Sequence, residues 1–257
     1  STGKQAINRA KGMDTGMKAE TQSVNAERLE MAADIIMEAM DLGEISAASL
    51  TVARNGADVF GRGFGTMIPG GSESVEPDSV FLLASISKPI SVCALMILVE
   101  RGMVGLNDPV QVHLPEFQGE HKENVLVRHL LSHTSGMPDM LPENIALREA
   151  HSPMTGFVEA ALATPLLFPP DTAFRYQSKG ILLATEIVTR KTNSAFREYM
   201  QSEVFEAYGM GDSSLGLGGR EIDDTVWCGT ATPDAESHSG WGPNSAYWRD
   251  AGQPWGG

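Results

Sequence analysis

Cysteine is scarce. Cys93 and Cys228 are the two in 257 residues, which excludes a disulfide framework and any multi-cysteine metal site. So few thiols leave the compartment open between exported, periplasmic and cytoplasmic. Long hydrophobic runs are missing too. The longest, roughly residues 90–99, is far below the ~20 residues that span a bilayer. The polar first twenty residues lack the apolar core of a secretory signal. Positive charge is the third shortage: 19 Lys and Arg face 33 Asp and Glu, a formal net charge of −14. An acidic surface repels phosphate backbones and anionic headgroups, so neither nucleic acid nor a membrane surface is an expected partner.

What is present is ordinary for a globular protein, 42% hydrophobic and 20% charged. The length suits one large domain or two closely packed lobes. Residues 1–24 read as a polar N-terminal arm. From Asn25 onward, Leu29, Ala32, Ala33, Ile36, Met37 and Met40 recur at helical spacing, and Gly43 marks a stop. Two β-prone runs, Ala47 to Arg54 and Ala57 to Phe64, flank Asn55-Gly56. That pair accepts the positive φ angles of a tight hairpin turn. The segment from Ser85 to Arg101 is hydrophobic on nearly every face, which predicts a helix buried all round, with Cys93 inside it. Pro89 fits its first turn and Gly102 its end. Further helical patterns run over 125–133, 156–163 and, with interruptions, 180–210, whereas 240–257 reads as loop.

Four strings carry the chemistry. In Leu82-Leu-Ala-Ser85-Ile-Ser-Lys88-Pro89 a serine and a lysine stand one helical turn apart on one face. A serine hydroxyl is a poor nucleophile until a neighbouring base takes its proton, and the helix N-terminus favours the developing negative charge. In isolation the pair has a plainer reading, with Ser85 or Ser87 capping the helix and Lys88 in solvent. The second string, Phe174-Arg-Tyr176-Gln-Ser178-Lys-Gly180, offers a phenol whose pKa a nearby ammonium would lower. By itself Tyr176 could equally be a satisfied core tyrosine. The third and fourth are Leu130-Leu-Ser-His133-Thr-Ser-Gly136-Met-Pro-Asp139 and Phe205-Glu-Ala-Tyr-Gly209-Met210.

In order and spacing these strings resemble the serine β-lactamase-related family, which holds class C β-lactamases, D-amino-acid peptidases, low-molecular-weight penicillin-binding proteins and several esterases. The resemblance runs from about Asn25 to Gly257. It implies a mixed α/β (α+β) fold in which a helical lobe, about 80–219, packs on an antiparallel sheet. Residues 25–79 supply part of that sheet, and 220–257 form a Gly/Trp-rich loop region. It further implies that Ser85 attacks a carbonyl to form an acyl-enzyme while Lys88 and Tyr176 shuttle the proton, with the identity of the base left open. The expected substrates are small esters, amides or peptides, with no metal and no organic cofactor. Family members carry Asn where this chain has Ser178, a shorter side chain with fewer hydrogen bonds, so ester or peptide chemistry gains over β-lactam hydrolysis. The His133 string is expected to shape a loop.

Family members also carry a third element, a Lys/His-x-Gly strand, beyond the region that matches Trp255-Gly-Gly. The resemblance therefore leads one to expect a fragment, a processed form or part of a longer enzyme, with the C-terminal sheet strands absent. Loss of one oxyanion donor typically costs ~10²–10³ in turnover. A non-catalytic binding or scaffold protein that keeps the pocket stands as the rival reading. Of the aromatic cluster Trp241, Tyr247, Trp248 and Trp255, Tyr247 and Trp248 are the candidates to wall an acyl pocket. A metal site at His129 and His133, four apart, is disfavoured because neither the H-E-x-x-H pattern nor a nearby cysteine supports it. The α/β-hydrolase elbow G-x-S-x-G is absent. Gly3-Lys4 matches only the tail of a phosphate-binding loop.

Overall fold

The computed structural model describes residues 24–229 and 239–255, so the polar arm up to Ser23 and the Gly3-Lys4 pair lie outside the described residues. Helix α1 (Ala26–Asp41) starts where the Asn25 side chain accepts the Arg28 N–H at 3.2 Å, and it ends before Gly43, whose φ is +74°. It leans on an antiparallel hairpin of β1 (Ala47–Arg54) and β2 (Ala57–Gly65). Asn55 and Gly56 take the predicted turn at φ +53° and +78°, and a bulge between Val52 and Ala53 adds local twist. The run after the hairpin crosses β2 so closely that a Cβ on Gly63 would collide with the Val75 carbonyl.

The remaining elements form the helical lobe. Helix α2 (Ser87–Glu100) and helix α7 (Lys179–Thr192) pack against each other at its centre. Around them lie α3 (Val110–His113), α4 (Val127–Leu131), α5 (Asn144–Glu149), α6 (Met154–Ala163) and α8 (Phe196–Met200), the last continuing into a π-type turn. Leu95, Leu98, Leu130, Met137, Phe157, Ile181 and Leu183 are buried in one continuous core. Met67, Val75 and Val226 form a small separate cluster beneath the hairpin.

Three expectations need correcting. Helix α2 is not buried on all sides: Ser87, Lys88, Ser91, Ala94, Leu95 and Leu98 face inward, while Met96 is 40% exposed. Cys93 lies on the outward face and is exposed, its thiol 3.3 Å from the Pro89 carbonyl. A uniformly apolar sequence therefore did not report which faces found partners. The C-terminal segment is not all loop, because α9 (Ala246–Ala251) forms there, capped by the Ser245 hydroxyl on the Trp248 N–H. Six residues between Gly- and Pro-rich flanks are too few for a periodic signal.

Candidate active site

Ser85 lies in a 3₁₀ turn, Ala84–Ile86, directly ahead of α2, and is solvent-exposed. Ala84 before it has φ +48°. A side-chain-bearing residue rarely adopts that conformation, at a cost of about 1–2 kcal/mol. The Ile86 N–H bond to the Leu83 carbonyl, 3.2 Å, closes the turn that holds it. Strain of this kind next to a reactive side chain is common in functional sites.

Lys88 occupies the first turn of α2 and is buried. Its Nζ donates to Ser85 Oγ at 2.9 Å and to the Trp255 carbonyl at 2.7 Å. One turn further along α2, Ser91 Oγ donates to the preceding carbonyl, that of Pro254, at 2.8 Å. Side chains of one helix face thus grip two consecutive carbonyls of the segment leaving α9. That segment turns back at Gly252, with φ +59°.

Tyr176 arrives from the other side on an irregular segment pinned to His133. The Arg175 N–H donates to the His133 carbonyl at 3.0 Å and the Gln177 N–H to His133 Nδ1 at 3.3 Å. The His133 ring centroid is 4.8 Å from that of Tyr176 and 5.9 Å from that of Phe174. Burial and the charge of Lys88 both hold the His133 pKa below its ordinary value, which suits the accepting role of Nδ1. Lys88 Nζ lies 4.9 Å from the Tyr176 ring centroid. Partial burial disfavours the phenolate, yet the polar influence of the nearby Lys88 and Ser85 side chains, together with the Lys88 charge, outweighs it and brings the Tyr176 pKa below that of an ordinary tyrosine. Ser85, Lys88 and Tyr176 are therefore brought together in space.

The other candidates are placed differently. Ser178 is buried, and its hydroxyl donates to Asp139 Oδ1 at 2.6 Å. Gln177 is fully buried: Nε2 donates to the Leu130 carbonyl at 2.9 Å, and Oε1 accepts the Gly180 N–H at the start of α7. Tyr247 donates its hydroxyl to the Ser152 carbonyl at 2.8 Å and stacks on His151 at 4.5 Å. Trp248 is buried beneath the Arg148 guanidinium, 3.6 Å from the ring centroid. Both aromatics thus tie α9 to the region of α5 and α6. His129 Nδ1 accepts the Leu126 N–H at 3.1 Å, which engages it in the start of α4.

Sequence reasoning passed over three contributors. Asp139 stood in a quoted string without a role. Trp255 acts through a main-chain carbonyl, which no side-chain motif reports. Lys179, beside Ser178, is fully buried with its Nζ unpartnered among the described residues; a lysine opening an amphipathic helix is read by default as solvated.

A cleft of about 370 Å³ runs between β1 and the lobe, lined by Ser49, Phe81, Ile90, Ser91, Phe205 and Leu217 among others. Ser85, Lys88 and Tyr176 are not in its lining.

A helix-borne serine and lysine thus stand beside a tyrosine in a mixed helix-and-sheet fold. The Beta-lactamase family model matches residues 32–257, and the chain belongs to that family. It is 29% identical over 180 residues to penicillin-binding protein 4* of Bacillus subtilis (strain 168), covering 68% of this chain and 39% of that protein's length. Its fold is similar to that of EstCE1, a hydrolase with promiscuous acyltransferase activity (TM-score 0.72, 20% identity, 88% of this chain and 68% of that one). It is likewise similar to that of the D-amino acid amidase from Ochrobactrum anthropi SV3 (TM-score 0.66, 22% identity, 77% of this chain and 55% of that one).

Proposed function

We propose that the chain carries an acyl-transfer site that hydrolyses a small ester or amide through an acyl-enzyme on Ser85. The observation that carries this reading is the 2.9 Å bond from Lys88 Nζ to an exposed Ser85 Oγ, with the Tyr176 ring centroid 4.9 Å from the same Nζ. In the forward step Ser85 Oγ attacks the substrate carbonyl carbon and its proton passes to the Lys88–Tyr176 pair. The tetrahedral intermediate then expels the alcohol or amine, which receives that proton as the C–O or C–N bond breaks. Water repeats the sequence in reverse, losing a proton to the same pair and freeing the acid and Ser85. Two acceptors hold the pair in place: His133 Nδ1 takes the Gln177 N–H and fixes the Tyr176 segment, and the Trp255 carbonyl takes a Lys88 Nζ–H and fixes Lys88.

Ser178 acts on this site through Asp139, and Tyr247 and Trp248 through the segment that carries Trp255. Two structural neighbours, a D-amino acid amidase and a hydrolase with promiscuous acyltransferase activity, are in keeping with acyl-transfer chemistry on an amide or a related acyl substrate. A second reading, a binding protein that retains the pocket, draws support from Ser178, whose hydroxyl is committed to Asp139. Covalent labelling separates the two. Incubation with a fluorophosphonate, and separately with a penicillin, followed by peptide mass spectrometry, should place an adduct on Ser85. A folded chain that forms no adduct with either probe would leave the binding reading.

A further inference from the structure

A buried lysine without a hydrogen-bond partner needs a physical reason. Lys179 opens α7 at 0% exposure, and its Nζ has no such partner among the described residues. What it has are rings: Nζ is 3.9 Å from the centroid of Trp255 and 5.7 Å from that of Phe157. Trp255 is itself buried and leans on Phe157 at 5.9 Å. Its carbonyl is the one that receives the Lys88 Nζ–H at 2.7 Å. One aromatic residue therefore joins the two lysines, its ring under Lys179 and its main chain on Lys88. A cation over an indole face attracts it more strongly in a site closed to water than at an exposed one, and so can decide where a chain segment rests.

We infer that Lys179 is a positioning residue for Lys88, holding through the Trp255 ring the carbonyl that aims the Lys88 amine at Ser85. This rests on the acyl-transfer reading of Ser85 and adds to it a dependence on pH. Burial, then the charge of Arg148 from α5, lowers the Lys179 pKa to about 7, with Asp139 opposing and Lys88 adding to the shift. Phe157 of α6 and Trp255 complete its surroundings and carry no charge. The charged form that attracts the ring is thus present below about pH 7 and is lost above it.

The test compares the wild-type chain with Lys179→Met, which keeps the volume and removes the charge. Fluorophosphonate labelling of Ser85 should be about tenfold slower in the variant at pH 6 and equal to wild type at pH 9, where wild-type Lys179 is already neutral. A merely structural role would change both rates by the same factor, and that result would overturn the inference. If wild-type Ser85 does not react at all, the acyl-transfer reading fails by itself. The positioning is then read from the Lys88 ¹³Cε resonance. It should differ between the two proteins at pH 6 and coincide at pH 9; identical resonances at both pH values would reject it.

Discussion

The lobe and the hairpin are built on different terms. In the lobe α2 and α7 bury Leu95, Leu98, Ile181, Leu182 and Leu183 almost completely. Around the hairpin, β1 contributes no buried residue, β2 only Phe64 and α1 only Ala33, whereas Met31, Ile35, Leu42 and Val59 are exposed. A two-stranded hairpin is at best marginal without packing, so most of the described fold's stability must come from the lobe. Every group argued to take part in proton transfer belongs to that lobe or to the segment following α9. A reactive serine needs sub-ångström placement of its partners, and close packing is what supplies it.

The comparison is broken most severely at Tyr176. Tyr176→Phe removes the phenol while keeping the ring against His133; kcat should fall ~10²–10³-fold with little change in KM, and an effect confined to KM would deny it a part in proton transfer. Stability should separate the regions next. Leu98→Ala, in the lobe core at 0% exposure, should cost about 2–5 kcal/mol in denaturant unfolding. Val59→Ala, at 39% exposure in β2, should change it by about 0.5 kcal/mol or less. Equal losses would mean that the hairpin carries more of the fold than its burial indicates.

Lys179→Met should raise stability at pH 7 by on the order of 2–4 kcal/mol, because the folded state disfavours the charged amine. The sign follows from the shift. With a folded pKa of about 7 against the ordinary 10.5, the unfolded chain binds more protons between these values, so wild-type stability climbs as pH rises from about 7 to 10.5. The variant should lack that climb, which thermal midpoints across this window would show. A parallel pH dependence in both proteins would place the lysine in water instead. The same substitution is expected to stabilise the fold and slow acylation at pH 6, a trade common where a site retains a strained or desolvated group.

How much was legible in the sequence depended on distance along the chain. Ser85 and Lys88 could be paired because three residues at a helix start are neighbours whatever the rest of the fold does. The hairpin was equally local, fixed by Asn55-Gly56. Tyr176 is far from both in sequence, and it entered through the company of the other strings, not through any spacing rule. The carbonyls of Pro254 and Trp255 left no trace, since a main-chain acceptor can belong to any residue type. The same apolar run that correctly announced α2 misplaced Cys93, because hydrophobicity predicts which residues would gain from burial and not which ones find a partner surface. Lys179 shows the reverse case. Residue type argued for solvent, and tertiary packing put it among rings.

The central claim is that Ser85 is a nucleophile activated by its neighbours, and Ser85→Ala tests it most directly. Hydrolysis of an activated p-nitrophenyl ester and the thermal midpoint should be measured together on wild type and variant. Because Ser85 is exposed and outside the core, hydrolysis should vanish while the midpoint stays within a degree or two. Hydrolysis at the wild-type rate in the alanine variant would remove Ser85 from the chemistry and contradict the account.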